Sequence, residues 1–165
     1  MGYTTDFSGQ FFFDKPLTDA HREYLTKFAE VRHMWRDEAT VLELHDPIRE
    51  RVGLPIGKAG EFFVGGGGHA GQNRDPSIAD YNSPPDTQPG LWCQWVPTED
   101  GKCFEWNGME KFYSYTEWLK YLLDNFLIPW GYTLQGRITW QGEDESDIGT
   151  LAVINNKVVS IPGQI

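Results

Sequence analysis

Residues 133–140, TLQGRITW, alternate cleanly between apolar and polar. Leu134, Ile138 and Trp140 fall on one side of an extended chain, and Thr133, Gln135, Arg137 and Thr139 on the other. Side chains of a strand point to opposite faces in turn. The stretch therefore predicts a strand with one face buried and one solvated, as in an antiparallel sheet.

The remaining elements are read against that strand. Residues 7–13, FSGQFFF, read as a strand. Thr18 is a good N-cap, and after it Tyr24, Leu25, Phe28, Val31 and Trp35 recur at helical spacing, with Arg22, Lys27, Glu30 and Arg36 opposite. Asp46-Pro47 followed by Gly53 predicts a short helix with a capping Asp. Residues 61–64 read as a strand. Residues 91–96 and 102–106 predict a hairpin around the turn at 97–101, and residues 109–113 a further short strand. Ser114 and Glu117 have capping-box spacing. The helix they open carries Trp118, Leu119, Leu122, Leu123 and Phe126 and ends at Pro129 and Gly131. Residues 151–154 and 157–161 flank Asn155-Asn156, a two-residue hairpin turn.

This order predicts an α+β fold. An antiparallel sheet carries two main helices on one face in the ferredoxin-like split β-α-β arrangement, continued by a C-terminal β-meander. No linker or repeat interrupts it. Residues 1–165 read as a single α+β domain with a long Gly/Pro-rich loop at 65–90, in which residues 77–81 read as one helical turn.

Composition narrows the function classes. An aromatic content of 15% over 165 residues argues for a real core and against disorder. The net charge is −10, placed unevenly: residues 1–60 hold ten acids and eight bases, residues 61–165 fourteen and six. That disfavours direct nucleic-acid binding, which needs Lys and Arg to replace phosphate counterions. It fits solubility or a basic protein partner. No apolar run approaches a membrane span, and the first residues show neither a basic start nor an apolar signal core. The chain reads as cytoplasmic, with no membrane role. Cys93 and Cys103 read as reduced thiols.

The most unusual stretch is residues 61–71, EFFVGGGGHAG. Gly66, Gly68 and Gly71 satisfy the spacing of the dinucleotide fingerprint after a strand. That fingerprint needs a helix opening at its last glycines, and Gln72-Asn73-Arg74-Asp75-Pro76 follows instead. No Lys-Ser or Lys-Thr follows to make a phosphate loop. Two readings stay open. Gly66, Gly67, Gly68, His69, Asn73 and Arg74 cradle an anion or nucleotide, with Asp75 orienting His69 or Arg74 and with Trp92 or Trp95 as a stacking floor. Alternatively the glycines serve only to allow positive φ in a mobile surface loop.

Other chemistry is thin. His21, His33, His45 and His69 lack metal-ligand spacing. The acidic run Glu143, Asp144, Glu145, Asp147 lacks the calcium-loop pattern and reads as a solvated tip or a contact for a basic partner. No nucleophile elbow or acid–base carboxylate pair stands out. No catalytic residue, metal or cofactor is assigned.

The stretches GYTTDFSGQF, FFVGGGGHAGQNRDP, and QPGLWCQWVPTEDG followed by EWNGMEKFYSYTEWLKYL, PWGY and WQGED resemble small uncharacterised acidic proteins of bacteriophages and prophages. The likeness spans nearly the whole chain and brings no activity. It implies an accessory protein that binds a host macromolecule, with inhibition of a defence system as one outcome. The alternative expectation is a small-molecule or nucleotide-binding protein, an enzyme among them, built on the glycine loop.

Overall fold

A six-stranded antiparallel sheet is the largest feature of the structure, a computed structural model that describes residues 2–163. In chain order the elements are β1 (Thr5–Phe13), α1 (Asp19–Glu30), β2 (Trp35–Arg36), α2 (Glu38–Val41), α3 (Pro47–Arg51), β3 (Ile78–Asp80), β4 (Trp95–Pro97), β5 (Cys103–Trp106), α4 (Tyr115–Leu122), β6 (Leu134–Gly142), β7 (Ile148–Ile154) and β8 (Lys157–Pro162). The fold is mixed α and β with few helices. Two compact units share it: residues 1–17 with 94–165, and residues 18–93.

The first unit holds the sheet, ordered β4-β5-β1-β6-β7-β8, with every neighbouring pair antiparallel. Phe7 stands opposite Trp140 and Phe13 opposite Leu134, so the apolar sets of β1 and β6 share one face. Phe11, Phe104, Trp95, Ile138 and Leu151 complete that face, each 1% exposed or less. Burying a side chain of this size contributes about 1.5–3 kcal/mol. Tyr115 of α4 packs against the same face, its ring 4.9 Å from Phe7 and 5.9 Å from Trp140. The other face carries Asp6, Ser8, Gln135, Arg137, Thr139 and Gln141, all exposed. The alternation of residues 133–140 is realised residue by residue. Asn155 and Asn156 take φ of 47° and 68°, the positive pair that a tight hairpin turn between twisted strands requires.

In the second unit, Thr18 caps α1 through its hydroxyl, which accepts the His21 N–H at 3.2 Å. Tyr24, Leu25, Phe28 and Ala29 are the buried stripe. The helix is shorter than the spacing predicts: Val31 is already extended, and Trp35–Arg36 pairs as β2 with β3. The backbone donors of Arg32, His33 and Trp35 go to Ala70, Leu91 and Ser83. Long-range pairing thus displaces the helical continuation that periodicity favours. For the same reason residues 78–80 are a strand, not part of a helical turn.

Four other expectations are corrected. Residues 61–64 form a turn and an irregular buried segment, with Phe63 N–H bonded to Gly60 C=O at 3.0 Å. Residues 109–113 form no strand. Ser114 sits at φ 56° and makes no side-chain cap. Asp46 likewise makes no cap bond. Its buried carboxylate accepts from Arg49 Nε at 2.7 Å and the Val64 N–H at 3.3 Å.

Candidate functional site

The glycine loop closes on its own backbone. The Gly71 N–H bonds Gly68 C=O, the Gln72 N–H bonds His69 C=O, and the Asn73 N–H bonds Gly67 C=O, at 3.0–3.2 Å. Ala70 C=O accepts the Arg32 N–H at 3.0 Å, which pins the loop just past α1. Gly68 and Gly71 have φ of +75° and +64°, the left-handed region that suits glycine. A Cβ on Gly71 would stand 2.9 Å from Val31 Cγ1. These glycines are needed for the loop to pack against its own chain. The crevice lined by Gly66, Gly71, His33 and Arg36 has about 10 Å³ of free volume, roughly one water.

A pair of substitutions separates packing from ligand cradling. Gly71→Ala forces a left-handed alanine at about 1–2 kcal/mol and crowds Val31. Its melting temperature is expected to fall by several degrees. Gly67→Ala, whose Cβ meets nothing closer than 3.5 Å, is expected to melt with the parent protein. Thermal unfolding of the two variants is the check; equal effects would contradict the packing account.

Of the nine candidate ligand residues, eight fall in the unit of residues 18–93 and Trp95 falls in the other. His69, Asn73 and Arg74 are exposed. Asp75 orients neither His69 nor Arg74. It accepts from Arg36 Nη1 at 2.9 Å and from the Ser77 N–H and hydroxyl at 2.8 and 2.5 Å. Trp92 is half-buried, 5.8 Å from the Arg32 guanidinium. Trp95 belongs to the sheet core of the other unit, 1% exposed, ringed by Phe7, Phe11 and Phe112, with its indole N–H given to Tyr115 C=O at 2.8 Å. At 1% exposure Trp95 has no ring face left to stack a ligand.

The acidic run, by contrast, is a built structure at one end of the sheet. Asp147 accepts from the Tyr3 hydroxyl at 2.7 Å and from the Trp140 indole N–H at 2.9 Å. The Asp144 N–H donates to the Tyr3 hydroxyl at 3.1 Å. Glu143 accepts the Thr4 N–H. The Asp144 carboxylate accepts from the Ser146 N–H and hydroxyl at 2.9 and 2.8 Å, and these bonds hold its carboxyl below the ordinary range. The Tyr3 phenol is raised: the Asp144 N–H pulls it down, but hydrogen bonding to Asp147, burial and the neighbouring carboxylates prevail. Glu143, Asp144 and Glu145 remain exposed on this braced turn.

Beside the turn, the open sheet face forms a shallow hollow of about 600 Å³ lined by Asp6, Ser8, Thr139, Gln141, Ile148 and Gly149. Asp6, Ser8, Thr139 and Gln141 were not singled out from the sequence as site residues. The signal available was the strand alternation, which puts them together on the solvated face. Among the described residues no three His, Cys, Asp or Glu side chains stand together as a metal-binding group. Cys93 and Cys103 are thiols; burial and the charges of Asp100 and Glu105 push Cys103 up. Among the described residues no helix is long and apolar enough to cross a membrane. No protein-family model, curated protein or solved structure matches the chain.

Proposed function

We propose that this protein is an acidic binding module that engages a basic surface of a partner protein through the end of its sheet around residues 142–147. The observation that carries the reading is the bracing of the acidic turn by Tyr3, Thr4 and Trp140 beside a hollow lined by Asp6, Thr139 and Gln141. Fixing charged groups before contact lowers the entropy lost on binding. A concentrated negative end also steers basic partners and speeds encounter. The resemblance to phage and prophage proteins supplies the setting: an accessory protein acting on a host protein in the host cytoplasm, with inhibition of a defence system as the outcome. The ferredoxin-like arrangement is part of the same reading. It is supported by β1 lying between β5 and β6, with β4 outside β5 and helices following β1 and β5 in sequence.

The test is capture of a host protein by the immobilised chain at rising ionic strength, repeated with Glu143→Gln and Glu145→Gln combined. Stoichiometric capture at low salt is expected, falling as salt screens the charges. The double variant is expected to bind roughly tenfold more weakly, mainly through a slower association rate. A stoichiometric partner held equally well by both chains at all salt concentrations would sink the proposal.

A further inference from the structure

Of the seven arginines in a chain with 24 acidic residues, Arg22, Arg36, Arg49 and Arg51 pair with carboxylates. Arg32 and Arg74 do not among the described residues, yet both are drawn to one ring. The Arg74 guanidinium carbon lies 4.1 Å from the centroid of Tyr81 and that of Arg32 lies 4.5 Å from it. Two like charges sharing one aromatic ring repel each other. The ring quadrupole offsets only part of this, about 0.5–1 kcal/mol at an exposed site.

Arg32 is held in place: its Nε donates to Tyr81 C=O at 3.1 Å and its Nη2 to Asn82 Oδ1 at 3.3 Å. Its remaining Nη1 and the whole fork of Arg74 have no acceptor among the described residues. The guanidinium fork matches phosphate oxygens in pairs. A phosphate monoester dianion carries two negative charges, matching the two guanidiniums, where a carboxylate carries one. The chain's overall negative charge is a weak obstacle, because charges more than about 8 Å away are largely screened at physiological salt.

We propose that Arg32 and Arg74, gathered on Tyr81, form a binding site for the dianion of a phosphate monoester. Trp92, beside Arg32, supplies a second aromatic surface for the organic part of such a ligand. The site lies outside the closed backbone of the glycine loop, within the unit of residues 18–93.

The side-chain Nε–H resonances of arginine in a ¹⁵N-labelled sample read the site directly. Titration with inorganic phosphate is expected to shift the Arg32 and Arg74 signals in a saturable way while leaving Arg137, an exposed arginine of the sheet, unmoved. Adenosine monophosphate is expected to saturate the same signals. Acetate at the same concentration is expected to give at most a tenth of the shift. Arg74→Gln, at an exposed position, should melt with the parent and weaken phosphate binding at least tenfold. Tyr81→Leu, which keeps the carbonyl that Arg32 uses, should weaken it at least fivefold. Shifts that grow linearly, that appear equally at Arg137, or that survive Arg74→Gln would overturn the proposal.

Discussion

Arg36→Ala is expected to cost about 3 kcal/mol, the low end of the range for removing one partner of a buried ion pair, because the Asp75 carboxylate left behind is partly open to solvent. Arg36 is 4% exposed. Its Nη1 donates to Asp75 at 2.9 Å and to the Ser77 hydroxyl at 2.7 Å, and its guanidinium carbon lies 4.6 Å from the Phe63 ring centroid. Burial pushes Asp75 up. The bonds from the Ser77 hydroxyl, Arg36 and the Ser77 amide outweigh it and hold the carboxyl below its ordinary value. Removing the Arg36 side chain beyond Cβ loses this pairing and opens space beside Gly60, where a Cβ would lie 3.6 Å from Arg36 Cδ. Domains of this size are stable by about 5–15 kcal/mol, so the loss is a large share. Urea denaturation reads it as a fall in midpoint at unchanged slope. Arg36→Met keeps the apolar stem and should cost less. A double-mutant cycle with Asp75→Asn should return a coupling of about 1–3 kcal/mol. An Arg36→Ala protein within about 1 kcal/mol of the parent would refute the role given to this pair.

Arg36 also shows where sequence reading stops. Its spacing after Tyr24 and Phe28 places it on the solvated side of a helix, and nothing local signals a partner 39 residues away. The same gap hides β2 and β3, whose pairing joins segments on either side of the glycine loop. Local signals fared better where both partners lie close in sequence or where one face is solvated. The Thr18 cap, the Asn155-Asn156 turn and the β6 alternation are of this kind. At the candidate site, the acids at 143–147 are plain in sequence, but their bracing by Tyr3 is not, because that contact spans 144 residues. The glycine run marks a real constraint, close backbone packing.

Acid is expected to destabilise the protein through His33 before its paired carboxylates titrate. His33 is 4% exposed, and its Nε2 lies 2.8 Å from Phe28 C=O, which makes Nε2 the protonated nitrogen of the neutral ring. Burial, with a smaller push from the Arg36 charge and against the Phe28 hydrogen bond, lowers its pKa from 6.5 to about 4. The fold therefore binds the neutral form. This contribution is fully present above the unfolded value of 6.5 and is lost as pH falls from there through about 4. At 1.36 kcal/mol per unit the full loss is about 3 kcal/mol. His21, lowered by partial burial, acts in the same direction to a smaller extent. Asp46 opposes it: burial raises its carboxyl despite Arg49, so protonation on acidification favours the fold. Asp37, Asp75, Asp100 and Asp144 are lowered below 3.8 and give up their contributions only at more acid pH. Urea denaturation at about pH 7 and about pH 4.5 should show the parent losing about 2 kcal/mol over this window, most of the His33 total. His33→Gln keeps a donor for Phe28 C=O and carries no titrating ring. It should start less stable at neutral pH but lose under half as much on acidification. A parent equally stable at both pH values, or a glutamine variant with the same acid loss, would remove His33 as the cause.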